Sequence, residues 1–169
     1  MAGQHIWILK DISTCTGCRL CEIACSLKHE GTIWPAASRI KIFEETPGFP
    51  VPYTCVQCPD YPCVNACPTK ALHVDDETGA VIVDEGLCTL CRQCIIACPG
   101  SIPRIIPGRD AVIICDLCGG DPECVKACNM AGYNALKVVR HPNSDLVKHY
   151  LMEPSKIIEQ LLQKHGVKT

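Results

Sequence analysis

Four cysteine runs constrain this chain more than anything else in it. Cys88, Cys91, Cys94 and Cys98 follow the spacing C-x2-C-x2-C-x3-C, and Pro99 closes the run. Cys15, Cys18, Cys21 and Cys25 repeat that spacing, with Ser26 where the proline would stand. Cys55, Cys58, Cys63 and Cys67 are spaced x2, x4, x3 and end on Pro68; the lengthening falls within Pro59-Asp60-Tyr61-Pro62. Cys115, Cys118, Cys124 and Cys128 are spaced x2, x5, x3, and Asn129 replaces the proline. The residue before the fourth cysteine is alanine each time: Ala24, Ala66, Ala97 and Ala127. The runs are therefore one unit copied, with insertions in the second and fourth copies.

All sixteen cysteines belong to these runs. Three thiolates two residues apart wrap one face of an iron–sulfur cube, and a fourth, three residues on, points from a short helix toward a second cube. Zinc also takes thiolates, but its sites come as two separated C-x2-C pairs, a division these runs do not make. Disulfides belong to secreted chains. Residues 1–10 are too short and too polar at their edges for the apolar core of a leader peptide, so a cytoplasmic location is expected. Sixteen ligands imply four [4Fe–4S] clusters, and no run lacks a ligand. Because the fourth cysteine crosses over, the runs work in pairs. Spacing alone allows one-with-two and three-with-four, or one-with-four and two-with-three.

The chain has 169 residues, enough for one domain or two small ones. A formal net charge of −2 gives no reason to expect nucleic acid. No stretch of about 20 apolar residues is present, so no membrane span is expected. With two Phe, two Trp and four Tyr, the core lacks large side chains, and buried clusters would fill that space while their Cys–Fe bonds stabilise the fold. Strands are expected at 5–10, 39–44 and 135–140, with a hairpin at 71–84 turning on Asp76-Glu77-Thr78-Gly79. The remainder of 45–54, which holds Pro47, Gly48, Pro50 and Pro52, is expected to be loop, and 100–108 a connector. Residues 111–114 are a short apolar stretch entering run four. A helix is expected from Pro154 through Lys164, with Ile157, Ile158, Leu161 and Leu162 on one face and Gly166 as its stop.

Over about 10–140 the chain resembles the four-cluster, ferredoxin-like electron-transfer subunits of bacterial and archaeal oxidoreductases. These include the β subunits of dimethyl sulfoxide reductase and formate dehydrogenase, hydrogenase components and the carbon monoxide dehydrogenase iron–sulfur protein. The resemblance implies that runs one and four pair, as do runs two and three. It implies four ligand sets: Cys15, Cys18, Cys21 and Cys128; Cys25, Cys115, Cys118 and Cys124; Cys55, Cys58, Cys63 and Cys98; and Cys67, Cys88, Cys91 and Cys94. It also implies an α+β fold of two ferredoxin-like dicluster modules, one inserted in the other. The outer module would be 1–44 with 105–140, the inserted one 45–104, and 141–169 a helical tail. The segment from Cys25 through Trp34 and Arg39 to Ile42 is most similar to small subunits that accompany tungsten aldehyde oxidoreductases. Unlike the larger β subunits, the chain has no long insertions and no apolar C-terminal anchor.

The expected role is single-electron relay between a catalytic subunit, of tungsten or molybdenum type, and a second redox subunit or ferredoxin. No catalytic residue is expected: there is no radical-SAM C-x3-C-x2-C, no Gly-rich dinucleotide loop, no P-loop and no spare cysteine. The rival readings are a freely diffusing polyferredoxin, a subunit of a formate dehydrogenase, hydrogenase or carbon monoxide dehydrogenase complex, a zinc-stabilised interaction module, and copies joined head to tail. Arg19, Lys70, Arg92, Arg104 and Lys126 lie near the runs and could raise a cluster's potential, but each is first a solvated surface charge. His73 is an ordinary strand residue rather than a ligand. Asp11 and Asp84, each four residues before a run, shape the turn that enters it. Trp7 and Trp34 are packing residues. The C-terminal helix has two open readings, docking a partner or covering the chain's own core.

Overall fold

The computed structural model describes residues 5–140 and 144–164. The expected strand at 5–10 is β1 (Ile6–Lys10), and it pairs antiparallel with β6 (Leu136–Arg140), 126 residues further on, with Trp7 opposite Val139 and Lys10 opposite Leu136. Between them lie α1 (Leu20–Glu30), β2 (Lys41–Phe43), β3 (Val51–Tyr53), α2 (Pro62–Asn65), β4 (Leu72–Val74), β5 (Val81–Val83), α3 (Gln93–Ala97) and α4 (Glu123–Met130). After β6 come α5 (Ser144–Leu151) and α6 (Pro154–Lys164). The fold is α+β, built, among the described residues, of short helices and three two-stranded antiparallel sheets.

The hairpin at 71–84 forms as expected. Gly79 takes φ +75°, its N–H bonds to the Asp75 carbonyl at 2.8 Å, and an added Cβ would meet the His5 ring at 2.7 Å. Only glycine meets both demands. The loop expected over 45–54 is corrected by β3, in which Pro52 sits opposite Ile42. A proline without an N–H is tolerated in a two-stranded sheet because one side of each strand is an edge. The Ile42 N–H turns instead to Glu22 Oε1 at 2.7 Å.

Helices α1 and α4 pack on one another, and so do α2 and α3. Each begins just before the third cysteine of its run and leads to the fourth: Cys25 lies within α1 and Cys128 within α4, while Cys98 caps α3 and Cys67 follows α2. Buried cysteines from all four runs share one core with Ile8, Ile40, Leu72, Val81, Leu117 and Leu136.

The segment after β6 covers that core. Val147 of α5 packs with Trp7, Val56 and Cys58, and Ile157, Ile158 and Leu162 of α6 close over Val51. Of the two readings of the C-terminal helix, its apolar face is used internally; the expected stop at Gly166 lies outside the described residues. Ile157 is 1% exposed. Ile157→Ala is expected to destabilise the fold by about 2–5 kcal/mol, as large-to-small changes in cores do, with its iron content unchanged. Thermal denaturation alongside iron analysis checks this.

Candidate metal centres

Each run enters its site through the same backbone device. The residue before the second cysteine is left-handed in all four: Gly17 (φ +71°), Gln57 (+50°), Leu90 (+54°) and Leu117 (+54°). Two residues before the third cysteine the chain is left-handed again at Arg19, Tyr61 and Arg92. Run four departs there because Pro122 occupies that place, with φ −63°. Left-handed non-glycine residues are costly singly, and here they recur in register. In three runs the N–H of the residue before the second cysteine turns back to the first cysteine: Gly17 to Cys15, Gln57 to Cys55 and Leu117 to Cys115. Asp11 and Asp84 shape the entries to runs one and three, accepting from Ser13 and Gly86 N–H groups at 3.1 and 2.9 Å.

The sixteen cysteines are all unpaired thiols. Cys15, Cys18, Cys21 and Cys128 line one recess, together with Ile42, Tyr133 and Leu136. Burial raises Cys15, opposed by the Gly17 N–H and reinforced by Cys18 and Cys128. Burial pushes Cys115 up to about 12, opposed by the Leu117 N–H and reinforced by Cys25. Burial drives Cys124 well up, with Cys115, Cys25, Cys118 and then Cys21 adding to it. Burial also pushes Cys58 up to about 12 and Cys63 up to about 11, and Cys98 is the largest added charge on both. Burial raises Cys94, with Cys88, Cys91 and Cys67 adding.

Couplings also cross between these neighbourhoods. Cys21 acts on Cys124, Cys115 on Cys55, and Cys94 on Cys63. Cysteines that burial would hold as neutral thiols can be thiolates only where a cation replaces the proton, which is what a coordinated metal does. The donor set therefore fits metal at four places. Sets of four thiolates suit both iron–sulfur cubes and zinc, so the donors alone do not choose between them.

Several sulfurs accept hydrogen bonds. Cys25 Sγ takes the Arg39 N–H at 3.2 Å and lies 3.8 Å from His29 Nδ1. Burial would raise Cys25, but His29, the Arg39 N–H and Ser38 outweigh it and hold the thiol below its usual value. His29 Nε2 in turn meets Asp116 at 3.0 Å, and this bond, followed by that to Cys25, holds the imidazole up to about 10. His29 was not singled out in the sequence. Its signal is position: it stands four residues after Cys25 on α1, so the two share a helix face. His29, Asp116 and Cys118 lie within 4.8 Å of one another, and since Cys118 belongs to run four they form part of that surround.

Of the cations near the runs, Arg19, Lys70 and Arg92 are exposed as expected, and Lys126 pairs with Asp121 and Glu123. Arg104 differs. It is half-buried, donates to the Ser38 carbonyl, and burial lowers it. The cation that sequence reasoning missed is Lys10. It is 0% exposed, and burial lowers it to about 8 against the opposing pull of Cys55 and Cys115.

A 4Fe-4S dicluster domain matches residues 48–138, more than half the chain, and a 4Fe-4S binding domain matches residues 12–28. This protein belongs to the 4Fe-4S dicluster family. Among its relatives, a protein of Pyrococcus furiosus named aliphatic sulfonate oxidoreductase, polyferredoxin-like subunit, is 56% identical over 90% of this chain and 88% of its own length. The B subunit of the anaerobic dimethyl sulfoxide reductase of Escherichia coli is 31% identical over 80% of this chain and 76% of its own length. The B subunit of the polysulfide reductase of Wolinella succinogenes is 33% identical over 72% of this chain and 70% of its own length. The metal is therefore iron–sulfur, in four [4Fe–4S] clusters, and this member of the dicluster family is a non-catalytic electron-transfer subunit of an oxidoreductase. Among the described residues, no helix is long and apolar enough to cross a membrane.

Proposed function

We propose that the chain holds its four clusters in a row and links a catalytic subunit to a second redox partner. The ligand sets are Cys15, Cys18, Cys21 and Cys128; Cys25, Cys115, Cys118 and Cys124; Cys55, Cys58, Cys63 and Cys98; and Cys67, Cys88, Cys91 and Cys94. The recess shared by run one with Cys128, and the electrostatic couplings among the thiols, support these sets. The couplings of Cys21 to Cys124, Cys115 to Cys55, and Cys63 to Cys94 support the same order along the row. The nested modules, 1–44 with 105–140 around 45–104, follow from the same pairing; the β1–β6 pair and the α1–α4 and α2–α3 contacts support it.

The clusters supply one-electron chemistry, and the protein supplies spacing, burial and access. The observation that carries the relay is the pattern of exposure. Every cysteine of the third set is buried, and in the second only Cys118 is half-buried. The exposed cysteines are Cys18 in the first set and Cys91 in the fourth. Apolar side chains stand exposed by both: Leu20 and Tyr133 line the recess that Cys18 lines, and Leu87 and Ile96 lie beside Cys88 and within run three along the chain. The middle is insulated and each end offers a docking surface.

The catalytic partner in this proposal is a tungsten or molybdenum enzyme of aldehyde-oxidoreductase type, supported by the resemblance over 25–42. The Pyrococcus relative's name adds aliphatic sulfonates as a substrate class for that partner. A cytoplasmic setting suits sixteen thiols with no disulfide. Anaerobic isolation of the tagged protein from its own cells, with iron, tungsten and molybdenum measured together, tests this. The expected result is a co-purifying subunit that carries tungsten or molybdenum. Full iron with no companion would replace the proposal with a free polyferredoxin.

A further inference from the structure

The two nested halves meet around one buried ammonium. Lys10, the last residue of β1, belongs to the outer half. Its Nζ is fully buried and has no hydrogen-bond partner among the described residues. Aromatic rings flank it, with the Trp7 centroid at 5.5 Å and the Tyr150 centroid at 4.7 Å, and the Tyr150 hydroxyl donates to the Lys10 carbonyl. Trp7, which the ammonium faces, packs with Val56 and Cys58 of run two, and Cys55 and Cys115, one from the inserted half and one from the outer half, oppose the effect of burial on Lys10.

Gln57 joins the same two cysteines through hydrogen bonds. Its N–H donates to Cys55 Sγ at 3.5 Å and its side-chain amide donates to the Cys115 carbonyl at 3.0 Å. The junction is therefore a built contact between the second and third ligand sets. An apolar side chain would fill the space beside Trp7 and Tyr150 without the desolvation cost of an ammonium. Aromatic faces offset part of that cost. The remainder needs negative charge, and four thiolates around each cube supply it on both sides.

We propose that Lys10 is the charge that tunes this junction, raising the reduction potentials of the clusters held by Cys55 and by Cys115. A cation beside a centre stabilises its reduced, more negative form. Reduction of these two buried centres would otherwise place added negative charge on both sides of one dry contact. Lys10 lowers that barrier to passage between the halves. The inference rests on the ligand sets proposed above.

The test is an anaerobic redox titration followed by EPR on the intact protein, comparing wild type with Lys10→Met, Lys10→Gln and Lys10→Arg, with iron measured on each sample. In Lys10→Met and Lys10→Gln, two of the four midpoints are expected to fall. The reduction equilibrium should change about tenfold or more, where a tenfold change is about 59 mV for a one-electron centre. Lys10→Arg is expected to restore them, and the other two midpoints should stay in place. Unchanged midpoints in the neutral variants at full iron content would overturn the proposal. So would loss of iron from both neutral variants, which makes Lys10 a packing residue. A wild-type protein without four reducible centres would instead refute the ligand sets.

Discussion

Cys115→Ala is expected to remove about a quarter of the iron, about four atoms per chain, and to disconnect the two ends of the molecule. Cys115 is buried, is coupled to Cys25 in its own proposed set and to Cys55 in the proposed next one, and accepts the Gln57 hydrogen bond at its carbonyl. Cys18→Ala offers the contrast. Cys18 is exposed at the rim of its recess, so losing that set also removes about four iron atoms but leaves the other three in contact. In a reconstituted complex with its catalytic partner, electron delivery to a viologen dye should fall to background with Cys115→Ala. The Cys18→Ala effect depends on which partner sits at that end, so the pair of variants also reports direction. Equal iron in wild type and Cys115→Ala would show that Cys115 is not a ligand.

The largest effect on stability away from the cysteines is expected at Glu30. This carboxylate ends α1, is 8% exposed, and receives two arginines: Arg39, similarly buried, and Arg109 at 2.7 Å, which also reaches Glu85 at 2.7 Å. Removing it in Glu30→Ala leaves two guanidinium groups without their shared anion, one of them buried. Breaking a buried pair from one side costs about 3–5 kcal/mol. Burial pushes the Glu30 carboxyl up, but the Arg39 and Arg109 hydrogen bonds outweigh it and hold it below the usual carboxylate range. A depressed folded-state value adds stability above the unfolded value of about 4.3 and loses it as pH falls through the folded value. The wild type should therefore lose more stability on acidification from neutral than Glu30→Gln, measured by denaturant unfolding at constant iron content. Parallel pH profiles for the two would show that the pair contributes no stability.

Much of the scaffold was legible because the elements are local. β1, β6 and the 71–84 hairpin carry β-branched residues bounded by turn signals, and α6 carries its apolar residues on one face. The repeat was legible in the cysteine spacing and the four alanines, and the structure extends it to the left-handed residues before each second cysteine. Those residues were hidden because Gln57, Leu90 and Leu117 are not residues that announce a positive φ.

What sequence did not disclose depends on partners distant along the backbone. β3 was masked by Pro52, whose missing N–H matters only if both sides of the strand are paired. Lys10 is a charged residue closing a strand, which ordinarily marks exposure. It is buried because Tyr150, 140 residues later, folds back over it. Glu30 and Arg109 are 79 residues apart, so nothing local tells a structural ion pair from two surface charges. α5 went unread as well, because Val147 finds Trp7 and Val56 only in the folded protein.

Four clusters, each served by four of the sixteen cysteines, would fix the iron and sulfide content of the folded protein. The most direct measurement is iron and acid-labile sulfide per folded molecule, with zinc measured alongside, on protein isolated without oxygen. About sixteen of each and no stoichiometric zinc are expected. About eight of each, or zinc in place of iron, would contradict this.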